Sequence, residues 1–250
     1  HTRNRKKYLL RLYLANVGMV FFNQIMRMLQ RKLDYVAYEP TNHNIFTTLF
    51  CAGVLICIWE SRKEKKKFFT YIGIYIFWQA MVMGLAVLAE AFDYVWRSNT
   101  LLQTVLQTDY IFPLLGGIWD VEGGVFFIAL GVCLYCAVED RWKLTLYYIL
   151  FCGTYLLMCE GDILYRIMNR FSFWGYHKLA DIIYVGSWST GIPLGTSDLS
   201  LLTEFYQWMM IGALPIMLAC NGKRGKSLKW LFYAAYPLQF LVLYGISYYK

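Results

Sequence analysis

The last apolar run of the sequence, Trp230 to Tyr249, carries Tyr233, Tyr236 and Gln239, with Tyr236 and Gln239 at helical spacing and Pro237 between them. A phenol and an amide so placed can orient a substrate, and a proline opens backbone groups beside them. Polar side chains in lipid are costly, which marks them either as a site or as hydrogen bonds between helices. The same two readings hold for Asn16, Asn23 and Gln24 in the first apolar run and for Gln79 in the third. Just ahead of the last run, Asn221-Gly222-Lys223-Arg224-Gly225 combines two flexible glycines, exposed backbone N–H groups and paired cations. That set suits a phosphate-rich ligand at a cytoplasmic mouth, although membrane topology by itself also demands cations there.

Other reactive types are more scattered. Glu122, directly before Gly123-Gly124, and Glu160 with Asp162 read as lining an outer cavity or, more simply, as solvated span ends. His43 and His177 stand alone, so no metal site is expected. The 7 cysteines fall in or at the edge of apolar runs, where cysteine acts as a small hydrophobe. Cys133-Leu134-Tyr135-Cys136 has CxxC spacing but lies mid-run without a second pair or a nearby His, which argues against zinc or redox chemistry.

The elements that must position these residues are membrane helices. Hydrophobic residues make up 58% of the chain and charged ones 16%, and the mean hydropathy is +0.40, a polytopic rather than a globular composition. The net charge of +8 resides in short loops beside apolar runs, which argues for orientation and against nucleic-acid binding. The fold expected is all-α, a transmembrane helix bundle forming one domain over 1–250, with about seven spans. They are Tyr8 to Met26, His43 to Trp59, Phe68 to Ala89, Gly123 to Val138, Leu144 to Cys159, Phe205 to Cys220 and Trp230 to Tyr249. The uncharged last run reaches about 30 Å at roughly 1.5 Å per residue, one hydrocarbon thickness.

Two irregular regions interrupt them. Between Glu90 and Glu122, Thr100 to Gln107 fits a short interfacial helix, and Ile111 to Trp119, with Pro113, Gly116 and Gly117, fits a re-entrant or cavity-lining piece. Glu160 to Glu204 mixes acids, aromatics and Gly/Pro without a clear period. Sixteen of the 24 Lys/Arg lie in four alternate loops, and twelve of the 16 Asp/Glu lie opposite. That asymmetry places the basic loops and the His1 end in the cytoplasm and Lys250 outside. Trp59, Trp96, Trp119, Trp142 and Trp230 sit at span ends, as interfacial aromatics do.

Four segments together resemble the TraX family of integral membrane proteins: His1-Thr-Arg-Asn4 leading into Lys7-Tyr-Leu-Leu-Arg-Leu12, Asn44-Ile-Phe-Thr-Thr-Leu49, Asn221-Gly-Lys-Arg-Gly225 and Tyr233-Ala-Ala-Tyr-Pro-Leu238. They occur in family order; the irregular regions match little. The resemblance implies a membrane acyltransferase of the plasma membrane that uses acetyl-CoA, since the family's namesake acetylates the N-terminal residue of conjugative pilin. The acceptor implied is an amine or hydroxyl, such as a protein N-terminus or a glycan. His1 then becomes the candidate for proton transfer, with Tyr236 and Gln239 as further catalytic candidates. Arg3, Arg11, Asn221, Lys223 and Arg224 become candidates to bind the donor's phosphates.

The family also has one or two further N-terminal spans, with an Asp-His pair and another polar patch, before the position of His1. It usually carries His where this chain has Gln239; Gln can orient or pack but cannot take a proton as His does. The rival readings are a transporter or flippase, suggested by the broken segments around Pro113 and Pro193, and a non-catalytic membrane partner, which Gln239 keeps open.

Overall fold

A computed structural model describes residues 4–33, 44–95, 108–119, 121–159, 170, 206–220 and 229–248. Among the described residues every regular element is helical. The order is α1 (Arg5–Leu33), α2 (Ile45–Glu60), a 3-10 turn at Ser61–Lys63, α3 (Lys65–Val95), α4 (Thr108–Leu115), α5 (Gly124–Ala137) and α6 (Arg141–Cys159). A 3-10 stretch (Tyr206–Ala213), α7 (Leu214–Ala219) and α8 (Lys229–Tyr248) follow.

Three segments are long and apolar enough to cross a membrane: Arg5–Leu29, Ile45–Lys63 and Lys65–Ala89. Their outer surfaces are what a bilayer requires. On α3, Phe77 is 72% exposed and Phe69 67%, with Ile74, Ile76 and Leu88 also bare. Such a surface is stable in lipid and would aggregate in water. The chain is therefore a membrane-associated helical bundle. Gly124–Ala137, Met209–Ala219 and Leu231–Leu243 are shorter apolar helical stretches.

Small interior contacts set the helix neighbours. Leu12 and Met19 of α1 pack with Phe46 of α2, and Tyr233, Tyr236 and Phe240 of α8 close over them. Cys51 and Ala52 of α2 meet Val121 and Ile128 at α5. Leu130 of α5 meets Tyr148 and Cys152 of α6, with Leu214 of α7 beyond. On another flank, Val82 and Ala86 of α3 hold Phe112 of α4. Helices α8, α1, α2, α5 and α6 thus form a series of neighbours, and α4 is inserted against α1 and α3.

One expected span departs from regularity. Within Phe205 to Cys220, the structure has the 3-10 stretch Tyr206–Ala213 and then only the 6 residues of α7. Pro215, in the first turn of α7, has no N–H to give an upstream α-helical carbonyl, so a continuous α-helix through this point is disfavoured. Tyr148 of α6 donates its hydroxyl to the Met210 carbonyl at 2.7 Å, tying the 3-10 stretch to α6. The interfacial helix expected over Thr100 to Gln107, and the region Glu160 to Glu204 apart from Arg170, lie outside the described residues.

Candidate functional site

The expected re-entrant piece is a broken helix whose backbone groups are satisfied by side chains. Helix α4 contains Pro113 and stops at Leu115. Gly116 follows with φ 66, the left-handed value that ends helices and that only glycine adopts at no cost. The Gly117 N–H bonds back to the Phe112 carbonyl at 2.7 Å and the Gly116 N–H to that of Pro113 at 3.3 Å, the paired bonds of a Schellman cap. A β-carbon on Gly116 would come within 2.8 Å of the Phe50 ring, so a larger residue there requires that ring to shift.

The cap meets the Phe112 and Pro113 carbonyls and leaves those of Leu114 and Leu115 to other donors, which in lipid water does not supply. Side chains of α1 and α3 supply the donors. Asn16 Nδ2 donates to the Pro113 carbonyl at 2.6 Å and the Tyr13 hydroxyl to that of Leu114 at 2.9 Å. Trp78 Nε1 donates to Leu115 O at 2.9 Å and Gln79 Nε2 to Gly116 O at 3.1 Å. Gln79 also turns its carbonyl oxygen to the Ile118 N–H at 3.0 Å. Asn16, fully buried, is the hub: its Oδ1 accepts from Asn44 Nδ2 at 2.9 Å and from Thr47 Oγ1 at 2.7 Å.

Asn44 caps α2, its Oδ1 taking the Thr47 N–H at 3.0 Å. The start of α2, the end of α4 and the start of α5 thereby converge. Asn16 lies about 16 Å along α1 from Arg5 at ~1.5 Å per residue, well along a segment long and apolar enough to cross a membrane. Such meeting points of interrupted helices are where membrane proteins place binding chemistry.

A carboxylate occupies that junction. Glu122 precedes Gly123 (φ 72) and Gly124 (φ 65), the turn that opens α5. Its backbone carbonyl accepts from Thr48 Oγ1 of α2 at 2.8 Å, and its carboxylate Oε2 accepts from the Tyr236 hydroxyl of α8 at 2.6 Å. The same hydroxyl accepts the Ile45 N–H at 3.4 Å, so one phenol bridges the first turn of α2 and the acid. Glu122 is solvent-exposed in the bundle. Phe46 stacks beneath, its ring centroid 5.5 Å from Tyr236 and 5.8 Å from Tyr233. Tyr236 is therefore fixed by packing as well as by two hydrogen bonds.

The sequence-derived candidates divide as follows. Tyr236 is in the junction. Gln239, on the same helix, is exposed, as is Arg11 on α1. His1, Arg3, Asn221, Lys223 and Arg224 lie outside the described residues. Asn16 and Gln79, read from sequence as either packing or site residues, hold the α4 break together. Glu122, read as lining an outer cavity or as a solvated span end, is exposed just ahead of α5 and accepts from Tyr236. Asn44, Thr47 and Thr48 were visible only as part of the resemblance; the available signal was three small polar residues within five positions at the mouth of an apolar run.

At the other end of the bundle, Glu60 joins three helices, receiving Arg5 of α1 and the Tyr135 hydroxyl of α5. Nearby, Arg62 stacks over Trp59 with its guanidinium carbon 5.0 Å from the ring centroid. In the following loop Asp140 caps α6, accepting the N–H groups of Trp142 at 3.0 Å and Lys143 at 3.3 Å, with the Lys143 ammonium at 3.2 Å. The Lys143 backbone and side-chain hydrogen bonds hold the Asp140 carboxyl below its usual range.

Among the described residues no group of three or more His, Cys, Asp or Glu comes together as a metal-ligand set. No family model, curated protein or solved structure matches the chain.

Proposed function

We propose that the chain is a TraX-type membrane acetyltransferase of seven spans in the plasma membrane, moving an acetyl group from cytoplasmic acetyl-CoA to an amine or hydroxyl acceptor. One observation carries this reading: two of the four segments behind the resemblance, 44–49 and 233–238, meet at one carboxylate-phenol pair. An acyl transfer needs a group to accept a proton and a group to fix its orientation, and Glu122 with Tyr236 has both.

The donor would enter from the basic side. Arg3, Arg11, Asn221, Lys223 and Arg224 are the residues proposed to hold its phosphates, in keeping with the charge-assisted contacts phosphates prefer, and His1 is the one proposed for a proton-transfer or binding role. Gln239, one turn from Tyr236, would orient or pack.

The broken helix α4 favours one other class, a transporter, because interrupted helices also frame solute sites. Purified full-length protein given radiolabelled acetyl-CoA and two acceptor probes, a peptide with a free N-terminal amine and a disaccharide, separates them. Transfer of label to either probe supports the acetyltransferase. Solute uptake into vesicles without transfer would establish the transporter instead.

A further inference from the structure

We infer that Glu122 is the catalytic base that takes the acceptor's proton and that Tyr236 is the positioning residue that holds it; this rests on the acetyltransferase reading above. The alternative is that Glu122 merely ties α5 to α8. Four observations favour chemistry over bracing.

First, bracing does not require an acid: Asn16 and Gln79 brace α4 with neutral amides. Second, the backbone of Glu122 is fixed independently of its side chain. The Thr48 bond to its carbonyl and the left-handed glycines that follow would persist with any residue at 122. Third, the side chain is exposed, whereas the amides at Asn16 and Gln79 are buried. Fourth, Tyr236 donates to the acid while accepting from the Ile45 N–H, so its hydroxyl proton is directed at the carboxylate and stabilises the charged form.

The step balances as follows. The acceptor's N or O bonds to the thioester carbonyl carbon, and its proton passes to the Glu122 carboxylate. The carbon-sulfur bond then breaks, the acetyl group remains on the acceptor, and coenzyme A leaves as a thiolate that is protonated by water. Glu122 returns its proton to solvent. Tyr236 contributes no proton to the net reaction; it sets the orientation and basicity of the acid.

The test uses full-length protein in detergent with acetyl-CoA and the peptide and disaccharide probes, comparing wild type with Glu122→Gln, Glu122→Asp and Tyr236→Phe. Glu122→Gln is expected to lower the transfer rate roughly 10²–10⁴-fold and to remove the acidic limb of the pH-rate profile, with acetyl-CoA affinity by calorimetry unchanged. Glu122→Asp is expected to restore part of the rate and the limb. Tyr236→Phe is expected to shift the limb, because the hydroxyl from which the carboxylate accepts is gone; a purely structural tie would leave the limb in place.

Wild-type transfer with an unchanged rate and profile in Glu122→Gln would overturn the inference and leave the acetyltransferase reading standing. Loss of rate in Glu122→Gln matched by loss of thermal stability and of acetyl-CoA affinity would also overturn it, as bracing. Absence of transfer and of acetyl-CoA binding in the wild type would overturn both.

Discussion

Asn44 donates its side-chain amide to Asn16 Oδ1 across 2.9 Å, joining the cap of α2 to the middle of α1. Because Asn16 also serves the Pro113 carbonyl and Thr47, its loss leaves several buried groups without partners. Each unmet buried group costs about 1–3 kcal/mol in general, and membrane hydrogen bonds average lower, near 0.6 kcal/mol. Asn16→Leu, which keeps the branching of the side chain but removes its polar atoms, is expected to destabilise by roughly 1–3 kcal/mol. Thermal unfolding in detergent measures it, and a melting temperature equal to wild type would show that the hub is replaceable.

Gly116→Ala tests the α4 break directly. A non-glycine residue in the left-handed region costs roughly 1–2 kcal/mol, and the Phe50 contact at 2.8 Å adds strain. Adding Phe50→Leu should recover the steric part only. Complete recovery in the double variant would mean that the backbone at 116 is not left-handed.

The charge asymmetry and the structure make one joint topological expectation. Glu60 holds the ends of α1, α2 and α5 together, so those ends share a side of the membrane. Cysteine-accessibility mapping is expected to place Lys65, Arg141 and Arg224 in the cytoplasm and Asp34, Asp109 and Asp181 outside. Labelling of Arg224→Cys from outside would remove the proposed cytoplasmic donor mouth.

Lys223→Ala with Arg224→Ala is expected to weaken acetyl-CoA binding tenfold or more, since charge-assisted contacts contribute about 1.5–3 kcal/mol each. The effect should be steeper at low salt, because exposed charges are screened over about 10 Å at 0.1 M. Unchanged affinity by calorimetry would reduce these cations to orientation signals.

Asp140 gives a pH expectation of known sign. Its folded-state carboxyl titrates below the ordinary value of 3.8, so its contribution to stability is present above that value and is lost as pH falls through the lowered one. Asp140→Asn keeps an oxygen for the α6 cap but has no charge to lose. Below about pH 4, unfolding scans should show the wild type losing stability more steeply than the Asn variant. Parallel curves would assign acid sensitivity to other carboxylates.

The helical character and most helix positions were legible because lipid demands long apolar runs, and Phe68 to Ala89 or Trp230 to Tyr249 offers no other reading. The interruption within Ile111 to Trp119 was legible for a related reason: Pro113, Gly116 and Gly117 together disfavour a continuous helix. Long-range pairing was not legible. Glu122 and Tyr236 are far apart in the chain, and an acid beside two glycines is as good a surface turn as a site until α8 is placed against α2. Run length also misled at Phe205 to Cys220, where hydropathy continues through Pro215 although α-helical hydrogen bonding does not.

The order in which donors and acceptors occur along the chain bears on how the bundle is made. Tyr13, Asn16, Thr48, Trp78 and Gln79, which receive the exposed backbone of 113–122, all precede it in sequence. A chain synthesised from its amino end therefore has the sockets for the interrupted helix in place before that helix leaves the ribosome. Tyr236 arrives last, so the carboxylate of Glu122 meets its phenol only when synthesis is nearly finished. Completion of the junction is thereby tied to completion of the polypeptide, and a product truncated before α8 would insert its earlier helices while lacking the group that orients the acid.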